Sequence, residues 1–100
     1  MSLGYELSEA AKDDLANIWL FYQPQSAQIA DRQIEAIFLD IEELIQFPMI
    51  GRTRDELQPR LRVFGTRGKR LIFYMVRQSK IEVKRILHGH MDIAAVFSEN

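Results

Sequence analysis

The apolar residues of this chain change period once, at Phe47-Pro48-Met49-Ile50-Gly51. Before that point they recur at helical spacing. After it come short runs rich in β-branched and aromatic residues, separated by turn signals. A chain of 100 residues is one domain, residues 1–100, with a modest core. Helices and strands must therefore share that core, which restricts the fold to an α+β layer arrangement.

The first half specifies two helices. Leu3–Leu7 alternates and suits a short edge strand. Ser8 then reads as an N-cap, with Glu9 in the first turn to complement the helix dipole. Ala11, Leu15, Ile18 and Tyr22 form one apolar face with Trp19 beside them, while Lys12, Asp13, Asp14 and Asn17 fill the other. Gln23-Pro24-Gln25-Ser26 breaks this helix, because proline disfavours helical geometry in the residue before it. The spacing predicts a second helix over Ala27–Gln46, with Ala30, Ile34, Ile37, Ile41, Leu44 and Ile45 as its stripe and Phe38 widening it. So short a connection makes the two helices antiparallel neighbours.

The second half specifies a meander of strands at Arg60–Phe64, Lys69–Arg77 and Ile81–His88. Gly65-Thr66-Arg67-Gly68 and Gln78-Ser79-Lys80 are its hairpin turns. The alternation slips at Lys84-Arg85-Ile86-Leu87, which a bulge or a strand end explains. His88-Gly89-His90 closes the last strand, and Asp92–Phe97 reads as a final helical turn or a mobile tail. The expected architecture is one antiparallel sheet with the helix pair on one face and the arginines on the other.

Charge divides along the same line. Residues 51–90 hold eleven Lys and Arg against three acids, a net +8, whereas residues 1–50 hold nine acids against two bases, a net −7. Such asymmetry suits a surface that meets a polyanion or an acidic partner. The alternative is a solvated sheet face balanced by the acidic helices. The basic residues concerned are Arg52, Arg54, Arg60, Arg62, Arg67, Lys69, Arg70, Lys84 and Arg85, with Arg60 and Arg62 expected on one face of a strand. Arginine outnumbers lysine eight to three in residues 51–90, and its planar fork suits bidentate contact with phosphate or carboxylate.

Other chemistry is sparse. There is no cysteine, hence no disulfide and no thiolate nucleophile, which fits a reducing cytoplasm. No apolar run approaches the roughly 18 residues of a membrane span. The first residues form neither a basic leader nor a signal core. No phosphate loop or nucleophile motif occurs. His88 and His90 lack a third metal ligand, so no metal and no cofactor is expected, and each reads as a strand-end histidine bonded to backbone. Phe64 and Tyr74 are placed to stack on bases or to fill core, Phe73 to fill core. Asp55 and Glu56 beside Arg52 and Arg54 suit a loop ion pair.

The chain also resembles a known family. Leu7-Ser8-x-x-Ala11-x-x-Asp14-Leu15-x-x-Ile18-Trp19 resembles the start of ParE-type toxins of bacterial toxin–antitoxin modules, also called plasmid stabilisation system proteins. Phe47-Pro48-x-Ile50-Gly51-Arg52, Leu57 to Leu61-Arg62, Arg70-Leu71-Ile72-Phe73-Tyr74 and Ile86-Leu87-His88-Gly89 with Asp92 continue the likeness in order. The resemblance implies a RelE/ParE-like fold and a cognate antitoxin whose extended segment wraps helices and sheet. It also implies a non-catalytic toxin that traps DNA gyrase on cleaved DNA. Arg52, Arg54, Arg60, Arg62, Arg70, Arg85 and Trp19 are the residues expected to meet antitoxin or target. Homodimers and toxin–antitoxin heterotetramers are both compatible with it.

The rival within the resemblance is the RelE branch, which cuts messenger RNA in the ribosome. Its chemistry needs cations about the scissile phosphate and a group to activate the 2′-hydroxyl. Arg60, Arg62 and Arg70 align with its basic residues, and His88 with a base found in some relatives. Met91 and Phe97 stand where that branch has an arginine and a tyrosine, and neither carries the needed charge or hydroxyl. A decayed toxin that only binds its antitoxin is the third reading. The +8 stretch is thus expected to be a protein-docking face, for an acidic antitoxin first and for the target second.

Overall fold

The computed structural model describes residues 4–66 and 68–98. Leu3, expected to open the first strand, and Arg67 of the basic cluster lie outside the described residues. The elements are β1 (Gly4–Leu7), α1 (Glu9–Tyr22), α2 (Ala27–Gln46), β2 (Arg52–Thr53), β3 (Arg62–Gly65), β4 (Arg70–Val76), β5 (Lys80–His88) and α3 (Ile93–Ser98). The strands form one sheet in the order β1-β5-β4-β3-β2. β1 runs parallel to β5, and the other pairs are antiparallel.

Both long helices begin where their caps predict. Ser8 Oγ accepts the Ala11 N–H at 3.0 Å, and Ser26 Oγ accepts the Ile29 N–H at 3.3 Å. Ser8 also binds the sheet: its N–H donates to the Val83 carbonyl at 3.0 Å and its hydroxyl to the Lys84 carbonyl at 2.7 Å. One residue therefore ends β1, starts α1 and ties both to β5. The Trp19 indole N–H donates to Asp31 Oδ1 at 2.9 Å, linking α1 to α2.

The predicted stripes bury as expected. Ala11 and Leu15 of α1 and Ile37, Ile41 and Leu44 of α2 pack on Ile72, Tyr74, Ile81, Val83 and Ile86 of the sheet. The slip in β5 is a bulge: Val83 faces Tyr74 and Arg85 faces Phe73, leaving Lys84 without a cross-strand partner. The extra residue lets Val83 and Ile86 share the helix-facing side although three positions separate them.

Five expectations are corrected. The sheet is mixed rather than wholly antiparallel, because the chain leaves β1 through the helix pair and meander and returns with β5 parallel to it. The second face of the sheet is not the arginine face. It carries its own core of Leu61, Val63, Phe73, Met75 and Leu87, covered by Leu57 and by Ile93, Val96 and Phe97 of the α3 region. The cause is β4, where Leu71, Phe73 and Met75 are as apolar as Ile72, Tyr74 and Val76, so both faces need a cover. Asp92–Phe97 supplies that cover as helix α3, Ile93–Ser98, with Phe97 4.9 Å from Phe73 between ring centroids. Arg60 is not on a strand with Arg62. It is a left-handed turn residue (φ 69°) whose N–H donates to Asp55 Oδ1 at 2.9 Å. The edge strand β2 was not foreseen. Lastly, Asp14 leaves the wet side of α1 and turns to β5.

Candidate functional site

The described cations of residues 51–90 fall into two sets. Five are neutralised within the molecule. Arg85 Nε and Nη2 donate to the two carboxylate oxygens of Asp14 at 2.8 and 2.9 Å, and Asp14 Oδ2 also accepts the Ile86 N–H at 2.9 Å. β1 ends before this point, so α1 supplies through Asp14 the acceptor that a longer β1 would have offered. Lys80 pairs with Glu6 at 2.6 Å. Glu82 takes Lys84 at 2.6 Å and Arg77 at 3.2 Å. The hydrogen bond from Lys84, with the charges of Lys84 and Arg77, holds the Glu82 carboxyl below its ordinary value despite partial burial. Arg54 binds Glu56 at 2.7 Å, the expected loop ion pair, and that hydrogen bond holds the Glu56 carboxyl low, with help from the charges of Arg54 and Arg52.

The second set is Arg52, Arg60, Arg62, Lys69 and Arg70. Among the described residues, no carboxylate oxygen lies within 4.0 Å of their side-chain nitrogens. Of the residues nominated from the sequence, Arg54 and Arg85 are thus committed to internal pairs, and Arg52, Arg60, Arg62 and Arg70 are not. Trp19 is half-buried and its N–H is spent on Asp31.

Two of the second set are fixed in place by neutral groups. Arg62 Nη1 donates to the Gly51 carbonyl at 2.6 Å and the Met49 carbonyl at 3.3 Å, so it clamps the loop between α2 and β2. Tyr74 works on the same loop: its hydroxyl accepts the Gly51 N–H at 2.9 Å and donates to the Pro48 carbonyl at 2.8 Å. Burial raises the Tyr74 phenol above its ordinary value, against the Gly51 hydrogen bond and the Arg62 charge. Arg70 Nη1 donates to Gln33 Oε1 at 3.2 Å and Nη2 to the Tyr22 hydroxyl at 3.3 Å, with its guanidinium carbon 5.6 Å from the Tyr22 ring centroid. An arginine held by two neutral acceptors keeps its full charge for a partner.

Arg70 and His88 are cross-strand partners at the open end of the sheet. They border a cavity of about 430 Å³ between α1, the end of β5 and the turn before β4. Ile18, Phe21, Ile86, Leu87 and Met91 give it apolar walls, and Lys69, Arg70, His88 and His90 a basic rim. His88 is the strand-end histidine that its position suggested, with Nδ1 accepting the His90 N–H at 3.3 Å. Arg62 stands opposite Tyr74, four positions along β4 from Arg70, which is roughly 13 Å in a strand. The structure therefore brings Arg70 and His88 together and leaves Arg60 and Arg62 apart from them. Among the described residues, no three His, Asp or Glu side chains are placed to hold a metal. Nor is any helix long and apolar enough to cross a membrane.

Sequence reasoning missed Asp14, Tyr22 and Gln33 as the residues that sort the arginines. Tyr22 carried one signal, a hydroxyl at the end of an otherwise apolar stripe. Gln33 carried none.

The fold and site together define an α+β domain with one sheet covered on both faces and an apolar surface cavity bordered by Lys69 and Arg70. Residues 5–93 match the family model described as ParE toxin of type II toxin-antitoxin system, parDE, and the chain belongs to that family. It is 32% identical to Toxin ParE1 of Caulobacter vibrioides over 95 residues, covering 91% of this chain and 94% of that protein. To Toxin ParE3 of the same organism it is 32% identical over 68 residues, covering 68% of this chain and 67% of that protein. A solved structure described as the chromosomal ParDE TA system from P. aeruginosa matches with a TM-score of 0.73, covering 87% of this chain and 96% of the solved one, at 19% identity. That likeness is one of fold, and the expected RelE/ParE-like architecture is the one observed.

Proposed function

We propose that this toxin acts in the cytoplasm by binding DNA gyrase and stalling it on cleaved DNA, and that its antitoxin neutralises it by covering the basic surface. The observation that carries the proposal is the set of five cations that have no carboxylate partner among the described residues, two of which, Lys69 and Arg70, border an apolar cavity. Such a surface attracts an acidic protein segment with apolar anchors. Arg52, Arg60, Arg62 and Arg70 are its charged contacts. Arg54, Arg85 and Trp19 hold the frame behind them.

The test is a supercoiling assay with purified bacterial gyrase. Added toxin should inhibit supercoiling or accumulate cleaved DNA, and added antitoxin should reverse it. If gyrase is unaffected while translated messages are cut, the RelE-type nuclease reading replaces this one. One observation favours that second reading, the pairing of Arg70 with His88. Cleavage that survives the Arg62→Ala, Arg70→Ala double variant would rule it out. Normal growth after induction without antitoxin points to a decayed toxin.

A further inference from the structure

Phe47, Met49 and Ile50 are 58%, 62% and 48% exposed, three large apolar side chains within four residues. A free loop carrying them would fold them inward. This one is held from beneath, by Tyr74 on Pro48 and Gly51 and by Arg62 on Met49 and Gly51. Gly51 itself has no room for a side chain, since an added Cβ would lie 2.5 Å from the Tyr74 hydroxyl. The apolar cluster is therefore presented to solvent on a fixed backbone, which lowers the ordering cost of binding.

Beside the cluster the sheet is open. β2 pairs only with Arg62 and Val63, while β3 runs on through Phe64 and Gly65. An uncovered strand edge invites another chain to pair with it. A second cavity of about 390 Å³ lies there, lined by Ile50, Arg52, Val63, Phe64, Gly65 and Leu71. Arg52 is exposed on its wall, and among the described residues no carboxylate lies within 4.0 Å of its guanidinium. This edge is the opposite one from β1, so it is separate from the Arg70 cavity beside α1 and β5.

We infer that this edge is an antitoxin-docking site, at which an extended, acidic stretch of the antitoxin pairs with Phe64–Gly65, seats an apolar side chain in the cavity and sets a carboxylate on Arg52. Charge selects the occupant. A second copy of this chain related by a two-fold axis would bring Arg52 against Arg52, with Arg62 close behind. Laying the acidic helices of another copy on the edge makes a head-to-tail contact, which must close into a ring or run on as a filament. A carboxylate-bearing segment of another protein meets neither obstacle. The inference deepens the antitoxin half of the reading above and does not depend on gyrase.

The experiment uses the antitoxin encoded beside the toxin. Binding is measured for wild-type toxin, Ile50→Asp and Arg52→Glu, and hydrogen exchange is followed on the wild-type complex. Both side chains are exposed, so both variants should keep the wild-type Tm. The expected result is at least a tenfold weakening in each variant and slowed exchange at Gly65 in the complex, since the Thr66 N–H is already donated to the Arg70 carbonyl and Gly65 faces the free edge. Affinities within twofold of wild type, with exchange at Gly65 unchanged, overturn the inference. So does unchanged antitoxin binding with lost toxicity, which assigns the edge to the target instead. Slowed exchange with no effect on gyrase upholds the site and removes only the gyrase reading. If a variant fails to fold, the exchange result on the wild-type complex decides.

Discussion

The hydroxyl of Tyr74 lies 2.9 Å from the backbone nitrogen of Gly51, and a Cβ placed on Gly51 would fall 2.5 Å from that hydroxyl and 2.8 Å from the Val63 carbonyl. Gly51 is thus required for space rather than for backbone freedom. Gly51→Ala should cost about 1–3 kcal/mol through overpacking against a backbone oxygen that cannot move aside. Tyr74→Phe should cost about 1–3 kcal/mol by leaving the Gly51 N–H and Pro48 carbonyl without partners. Urea unfolding measures both losses, and hydrogen exchange at Gly51 should quicken in Tyr74→Phe. Unchanged exchange there would show that the phenol does not hold the loop.

Asp14 accepts three hydrogen bonds from β5, two from Arg85 and one from the Ile86 backbone, with its side chain only 10% exposed. Removing it strips a charged acceptor from a half-buried guanidinium and from a strand N–H. Asp14→Ala should therefore cost about 2 kcal/mol, between an exposed and a fully buried pair. For a domain of this size that is a fall in Tm of roughly 8–16 °C. Asp14→Asn, which can still accept from Ile86, should fall between the two. If Asp14→Ala melts with wild type, the link between α1 and β5 contributes nothing.

Glu82 predicts an acid limb in the stability profile. Its carboxyl is held below the ordinary 4.5 by Lys84 and Arg77, so on acidification the unfolded chain takes up this proton first. The stability it contributes is fully present above its ordinary value and is lost as pH falls through the lower folded value. From pH 6 upward this group adds no slope. Urea midpoints should drop as pH falls below the ordinary 4.5, and Glu82→Gln should flatten that drop. An equal drop in the variant would assign the acid limb to other carboxylates.

Much of this fold was legible because its signals are local. Ser8 and Ser26 each bond an amide three residues on, within the span a sequence motif covers. The bulge showed as a break in alternation at Lys84, and both helix stripes showed as periods. What failed to show depends on distance. Asp14 and Arg85 are 71 residues apart, and a helical wheel seen alone assigns any carboxylate to water. β2 is two residues long, too short to alternate. Charge counting gave the number of arginines and not their directions, so the second face of the sheet was assigned to them instead of to Phe73 and Phe97. Which cations remain for a partner is decided by carboxylates far away in sequence, and that part of the candidate site was not readable from spacing.

Arg60 and Arg62, expected to act as a pair, should behave as opposites. Arg62 donates to two loop carbonyls beneath the exposed apolar cluster, so Arg62→Ala should cost about 1–3 kcal/mol and loosen residues 47–51. Arg60 has a left-handed backbone and an exposed side chain. Glycine suits that conformation, and relief of roughly 1 kcal/mol of strain offsets the flexibility it adds to the unfolded chain. Arg60→Gly should then stay within about 0.5–1 kcal/mol of wild type while removing a full positive charge. Measured together, the two variants separate charge from scaffold. Toxicity lost in Arg60→Gly at unchanged Tm marks Arg60 as a contact. Toxicity lost only in Arg62→Ala, in step with Tm, follows from the loop coming loose. A stable Arg62→Ala protein with an ordered loop would overturn the clamp.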